Sequence, residues 1–234
     1  MNIAIIPARG GSKRIPQKNI KQFCGKPMIA WSIEEAQKSG LFDHIVVSTD
    51  SEKIATVAKA YGAKVPFLRP AELSDDLTPT APVLMHAIEE MEKLAGPVAY
   101  ACCLYATAPF IQSKYLVQGL ETIENTGAAT VFSVTTFAFP ILRALTVTDA
   151  GQLQMIWPEY ELTRSQDLPE CYHDAGQFYW LDRQQFGASK KIYSDSARPV
   201  VIPRHMVQDI DTLEDWKRAE IIMQLLLTLK NKEN

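Results

Sequence analysis

Ile3-Ala4-Ile5-Ile6-Pro7-Ala8-Arg9-Gly10-Gly11-Ser12-Lys13-Arg14-Ile15-Pro16-Gln17-Lys18-Asn19 begins as a buried strand and breaks into a loop holding two glycines, four cations, a hydroxyl and two amides. Gly10 and Gly11 let backbone N–H groups turn toward a ligand with no Cβ in the way. Arg9, Lys13, Arg14 and Lys18 surround that concavity with positive charge, on a chain whose net charge is −3. A polyphosphate is the natural guest. The coincidence of cations, glycines and a strand exit separates this loop from an ordinary solvated basic one. It is not a familiar nucleotide loop, because neither Gly-x-x-x-x-Gly-Lys-Ser/Thr nor Gly-x-Gly-x-x-Gly is present in it. Pro27 suits a first helical position, so the loop is expected to run from Ala8 to about Lys26.

Outward from that loop, apolar strands alternate with amphipathic helices. Strands are expected at Ile3–Ile6, His44–Ser48, Lys64–Phe67, Val98–Tyr105, Thr130–Val134, Gln177–Leu181 and Pro199–Ile202. Helices are expected from about Pro27 to Ser39, after Thr49-Asp50-Ser51, from about Pro79 to Leu94, from near Ser113, and from Thr212 to about Lys230. This rhythm predicts a three-layer α/β/α fold around a mainly parallel sheet, in one domain spanning residues 1–234. The rhythm breaks over 136–171, where Phe137, Phe139, Leu142, Leu145, Val147 and Leu153 sit among turn signals and read as a hairpin insertion. Its apolar residues need a cover: either a second copy of the chain or the rest of its own domain.

Composition narrows the classes. At 234 residues, 47% hydrophobic and 22% charged, the chain is an ordinary globular protein with room for one large core. No uncharged apolar run approaches the ~18 residues needed to cross a membrane, and the first strand is too short for a signal peptide. A cytoplasmic protein is expected, with neither membrane nor nucleic acid as partner. Cys24, Cys102, Cys103 and Cys171 lack Cys-x-x-Cys spacing and read as free thiols.

Asp209-Ile210-Asp211 is the second strong signal. Residues two apart in an extended segment face the same side, so both carboxylates converge just before the capping Thr212. An isolated Asp-x-Asp would only cap the last helix. Beside a polyphosphate, two carboxylates need a cation, and oxygen ligands point to Mg²⁺.

Arg9-x-Gly-Ser12-Lys13 with Lys18-Asn19 resembles the signature of the CMP-sugar synthetases that activate acidic nonulosonates. Asn19-Ile-Lys-x-Phe-Cys-Gly-Lys-Pro-Met28, Phe67-Leu-Arg-Pro-Ala-Glu-Leu-Ser-Asp75, Thr163-Arg-Ser-Gln-Asp167 and His173-Asp-Ala-Gly-Gln-Phe-Tyr-Trp180 extend the likeness over nearly the whole chain, toward the branch that takes pseudaminic acid. The resemblance implies a homodimer built by the insertion, and transfer of CMP from CTP to an acidic nine-carbon sugar with release of pyrophosphate. It implies a CTP site of Arg9, Gly10, Gly11, Ser12, Lys13, Lys18 and Asn19, with Arg69 and Thr80 at the cytosine. Arg9, Lys18, Asp209 and Asp211 would be catalytic, the two aspartates holding Mg²⁺. Tyr105, Arg143, Arg164, Asp174, Gln177, Phe178 and Tyr179 would line the sugar pocket, with an arginine on the sugar carboxylate. Tyr105, in place of a glutamine of the sialic acid branch, and the segment starting at His173 both argue against N-acetylneuraminate. The remaining alternatives are a synthetase for another acidic sugar, a sugar-phosphate cytidylyltransferase, a phosphohydrolase and a nucleotide sensor without turnover.

Overall fold

In the computed structural model, which describes residues 1–233 and only the backbone for 230–233, the opening aliphatics form β1 (Asn2–Pro7). β1 lies inside a six-stranded sheet, paired in parallel with β4 (His44–Ser48) and β5 (Tyr100–Leu104). The chain then continues to β6 (Thr130–Thr136), β9 (Tyr172–Asp182) and β10 (Arg198–Val201), giving the order β10-β6-β9-β5-β1-β4. β9 runs antiparallel to both neighbours, and every other pairing is parallel.

Strand alternation sorts the core into two layers. Ala4, Ile6, Cys102, Leu104, Phe178 and Trp180 face one cluster, with α1 (Met28–Ser39), α2 (Glu52–Ala60), α4 (Ser113–Thr126) and α6 (Leu213–Glu233). Ile3, Ile5, Ala101, Cys103, Tyr179 and Leu181 face the other, with α3 (Thr80–Ala95) and α5 (Arg183–Ser189). Adjacent Cys102 and Cys103 thus point to opposite faces, and all four cysteines are free. α4 seats on β9 at Gly119, where an added Cβ would come within 2.5 Å of Trp180 Cδ1.

Several local expectations are corrected. The stretch Ala8–Lys26 is not one loop: a 3-10 turn, Lys18–Ile20, is followed by a small hairpin of β2 (Gln22–Phe23) and β3 (Lys26–Pro27). Its two-residue turn places both Cys24 (φ 47°) and Gly25 (φ 91°) in the left-handed region, as a primed hairpin turn requires. Pro27 therefore ends a strand and caps α1 instead of entering it. The expected strand Lys64–Phe67 contributes only the bridge Lys64–Val46, since Pro66 lacks the N–H to continue a ladder. Between β6 and β9 the chain leaves the sheet, with a two-stranded ribbon of β7 (Leu145–Val147) and β8 (Leu153–Met155) and several 3-10 turns.

The last helix starts on a reciprocal cap. Thr212 N–H and Oγ1 donate to Asp215 Oδ2 at 2.8 and 2.7 Å, and Asp215 N–H donates back to Thr212 Oγ1 at 3.2 Å. Asp211 N–H reaches the same carboxylate at 3.2 Å, so the cap also fixes the backbone of Asp211. These bonds, led by that from the Thr212 hydroxyl, hold the Asp215 carboxyl below its usual range. Its stabilising contribution is present above the unfolded carboxylate pKa and is lost as pH falls through the lower folded value. Thr212→Ala is expected to cost about 1 kcal/mol and about 3 °C in melting temperature. An unchanged thermal melt would show that this cap carries no stability.

Candidate active site

The chain passes from β1 outward to β4 and then returns to β5 on the other side of β1, which makes the carboxyl ends of β1 and β5 a topological switch point. A cleft of about 280 Å³ opens there. It is lined by Arg9, Ser12, Lys13, Arg14, Lys18 and Asn19 from the loop after β1, by Arg69, Thr78 and Thr80, by Thr107 after β5, and by Asp211. Five cations thus surround one cleft on an acidic protein.

Each cation is held by a partner. Lys18 Nζ donates to the Ile210 carbonyl at 2.7 Å and reaches Asp211 Oδ1 at 3.4 Å. Arg14 Nη1 lies 2.9 Å from Asp211 Oδ2. Arg9 Nη1 pairs with Asp76 Oδ1 at 2.6 Å, and Lys13 pairs with Asp76 Oδ2. Arg69 is buried, its Nη2 donating to the Ser48 carbonyl at 2.6 Å, while its Nε has no partner. Burial lowers its pKa, and the nearby Asp50 carboxylate opposes that shift. It ties the end of β4 to the turn Ala71–Leu73 and faces the cleft.

The loop amides are arranged differently from the sequence expectation. Gly10 N–H donates to Asp50 Oδ1 at 2.8 Å, so this amide braces the loop against the neighbouring strand exit. A Cβ on Gly10 would meet Ser51 Cβ at 3.1 Å, which explains the glycine by close approach. Ser12 N–H turns back onto the Gly10 carbonyl, whereas Gly11 has open space around it. Asn19 is buried, and its Nδ2 donates to the Arg9 carbonyl at 3.0 Å, fixing the loop from within.

Asp209 and Asp211 lie before α6. Desolvation first, then the Asp211 carboxylate, pushes the pKa of Asp209 up. A carboxylate whose charge is disfavoured by its neighbour, beside a cationic cleft, is chemically suited to share a divalent cation with that neighbour. Among the described residues no group of three or more His, Cys, Asp or Glu forms a complete cage.

A polar row runs from the cleft across the sheet. Thr80 Oγ1 lies 3.3 Å from Tyr105 Oη, and the Tyr105 ring packs 5.3 Å from that of Tyr179. Tyr179 and Tyr193 both donate to Asp174 Oδ2, at 2.7 and 2.5 Å, while Gly176 N–H donates to Oδ1. Burial, with Asp174 adding to it, raises the pKa of both phenols, so they remain hydrogen-bond donors. The structure therefore gathers Tyr105, Asp174 and Tyr179 beside the cleft and adds Tyr193. No spacing marked Tyr193, because it lies beyond α5 and reaches Asp174 only through the tertiary fold.

Phe178 is a correction. It is fully buried in the layer under α4, on the other face of β9 from Tyr179, and so belongs to the core. Gln177 is also buried, its Nε2 donating to the Met206 carbonyl, with its Oε1 unpartnered. Arg143 and Arg164 lie on the excursion and do not line the cleft of their own chain; Arg164 pairs with Asp167 at 2.8 Å. A second cleft, about 360 Å³, runs along the base of the excursion between Phe137, Phe139, Leu168 and Arg204. It lacks the convergent cations of the first.

The arrangement is that of a nucleotidyltransferase. The fold is shared with CMP:2-keto-3-deoxy-manno-octonic acid synthetase, solved in complex with CTP, at TM-score 0.69 and 18% identity over 96% of this chain and 98% of that one. The cytidylyltransferase family model matches residues 3–233, and the chain belongs to this family of CTP-using enzymes. It is 43% identical, over 96% of its length and 97% of the relative's, to a pseudaminic acid cytidylyltransferase of Campylobacter jejuni. It is 31% identical, over 95% of its length and 96% of the relative's, to a CMP-N,N'-diacetyllegionaminic acid synthase of Legionella pneumophila. Among the described residues no helix is long and apolar enough to cross a membrane.

Proposed function

We propose that the chain activates pseudaminic acid with CTP, giving CMP-pseudaminic acid and pyrophosphate. The observation that carries the chemistry is the convergence of five cations and Asp211 on one cleft at the sheet's switch point. The 43% identity to a pseudaminic acid cytidylyltransferase supports the sugar.

In this reading the triphosphate lies among Arg9, Ser12, Lys13 and Lys18. Their charge falls where it builds up as the bond from the α-phosphorus to pyrophosphate lengthens. Lys18 is fixed by the Ile210 carbonyl, so its charge is already positioned at the reacting phosphate. Arg69 and Thr80 face the base end of the cleft. Asp209 and Asp211 would hold Mg²⁺, whose chemistry when bound would be charge neutralisation at the phosphates and activation of a hydroxyl. The sugar would lie over Tyr105, Tyr179 and Asp174, with its carboxylate bound by an arginine of the excursion.

Phe139 (83% exposed), Leu153 (71%) and Leu162 (95%) support a homodimer closed by the excursion, which could bring Arg143 or Arg164 over the partner's cleft. A cytoplasmic enzyme that supplies the glycosylation of a bacterial surface or flagellar protein fits this activity.

The test is pyrophosphate release from CTP and Mg²⁺ with pseudaminic, legionaminic and N-acetylneuraminic acids in parallel. Release with pseudaminic acid is expected, and release only with another sugar would overturn the substrate assignment. Arg164→Ala is expected to raise the sugar KM about tenfold or more while leaving the CTP KM unchanged. Equal effects on both substrates would remove Arg164 from the sugar site.

A further inference from the structure

Two of the cleft's cations are engaged by a carboxylate to which the proposed reaction assigns no role. Asp76 lies in the loop between the turn Ala71–Leu73 and α3, more than sixty positions along the chain from Arg9 and Lys13. One of its oxygens takes Arg9 and the other takes Lys13. The loop that presents it is internally tied. Asp75 Oδ1 accepts from Leu77 N–H at 3.0 Å and from Thr78 N–H and Oγ1 at 2.6 Å. The Asp75 carbonyl accepts from Arg9 Nη1 at 2.7 Å. The same loop supplies Thr78 to the cleft and leads directly into Thr80 at the start of α3, so the carboxylate sits on the segment that forms part of the cleft wall.

We infer that Asp76 is an internal stand-in for the triphosphate, which holds Arg9 and Lys13 in the free protein and is displaced by phosphate oxygens when CTP enters. This rests on the reading that the cleft takes a triphosphate. A carboxylate offers two oxygens and one negative charge. A triphosphate offers many oxygens and several charges to the same two cations, so exchange favours the ligand. The Asp76 and Arg9 side chains are each about a third exposed, at 37% and 35%, and Lys13 is 81% exposed, so the pairs are weak enough to break on binding. Asp76 thereby sets the affinity for nucleotide and shields the loop cations from stray anions. The loop from Asp75 to Thr78 changes contacts as the site fills.

The test is calorimetric titration, without sugar, of wild-type protein and Asp76→Asn with CTP and with inorganic tripolyphosphate. Because two exposed ion pairs are released, Asp76→Asn is expected to bind both ligands about three- to tenfold more tightly. That advantage should shrink as salt rises from about 50 to 300 mM. Asp76→Glu, which keeps the charge, is expected to stay within about twofold of wild type. If Asp76→Asn binds tripolyphosphate equally or more weakly while the wild type binds CTP normally, Asp76 only positions the cations and this inference alone fails. If the wild type binds neither ligand, the triphosphate reading of the cleft fails with it.

Discussion

Asp211→Asn is expected to lower kcat about a thousandfold while leaving the thermal melt within a degree or two of wild type. The Asp211 side chain is about a third exposed, so an isosteric amide leaves the packing intact. What changes is charge. The amide is a poor ligand for a divalent cation and no longer balances Arg14 and Lys18, which lie 2.9 and 3.4 Å from the carboxylate oxygens. Removing one preorganised charge at a phosphoryl centre typically costs about a hundred- to a thousandfold. Here a metal ligand would be lost as well, which places the effect at the upper end. The measurement is the steady-state rate of pyrophosphate release at saturating CTP over a range of Mg²⁺ concentrations. A variant within tenfold of wild type would remove Asp211 from the reaction. Asp209→Asn provides the companion measurement, because the paired-ligand reading requires a loss in both.

Trp180→Ala is expected to destabilise the fold by about 3–5 kcal/mol, a large share of the 5–15 kcal/mol typical of a whole domain. Trp180 is fully buried near the carboxyl end of β9, stacked on Phe42 at 5.2 Å with an interplanar angle of 17°. Its Nε1 donates to the Leu116 carbonyl at 3.0 Å. The α4 backbone approaches so closely at Gly119 that the helix cannot collapse into the space left by the ring without dragging β9 with it. The cavity therefore persists and its cost adds to the lost transfer energy. Urea unfolding is the check; a loss below about 1 kcal/mol would mean that α4 and β9 readjust freely. Trp180→Phe should recover part of the loss, since it keeps the stacking on Phe42 but not the hydrogen bond.

The fold was legible where its signal is local. Ile3–Ile6, His44–Ser48 and the apolar run around Cys102 each carry a strand's identity within a few residues, and the structure places all three side by side. The Thr212 cap and the free state of Cys102 and Cys103 followed from spacing in the same way. The β2–β3 hairpin was missed because its turn contains Cys24 in a left-handed conformation, a residue that does not advertise one. The strand expected at Lys64 shrank to a single bridge because one proline outweighs its β-branched neighbour.

By itself, then, the sequence determined the layer architecture, the cationic loop after β1 and the acidic pair before α6. Each is written in the periodicity or composition of a contiguous stretch. The tertiary structure alone decided what those groups touch. It set Lys18 on the carbonyl of Ile210, 192 positions away, and gave the Gly10 amide to Asp50. It turned Phe178 into the core and Tyr179 toward Asp174, and brought Tyr193 to the same carboxylate. It also laid Asp76 across Arg9 and Lys13. Such contacts depend on which strand exits become neighbours when the sheet closes, and on which polar groups must find partners once water has been excluded. Neither condition exists until the whole chain has folded.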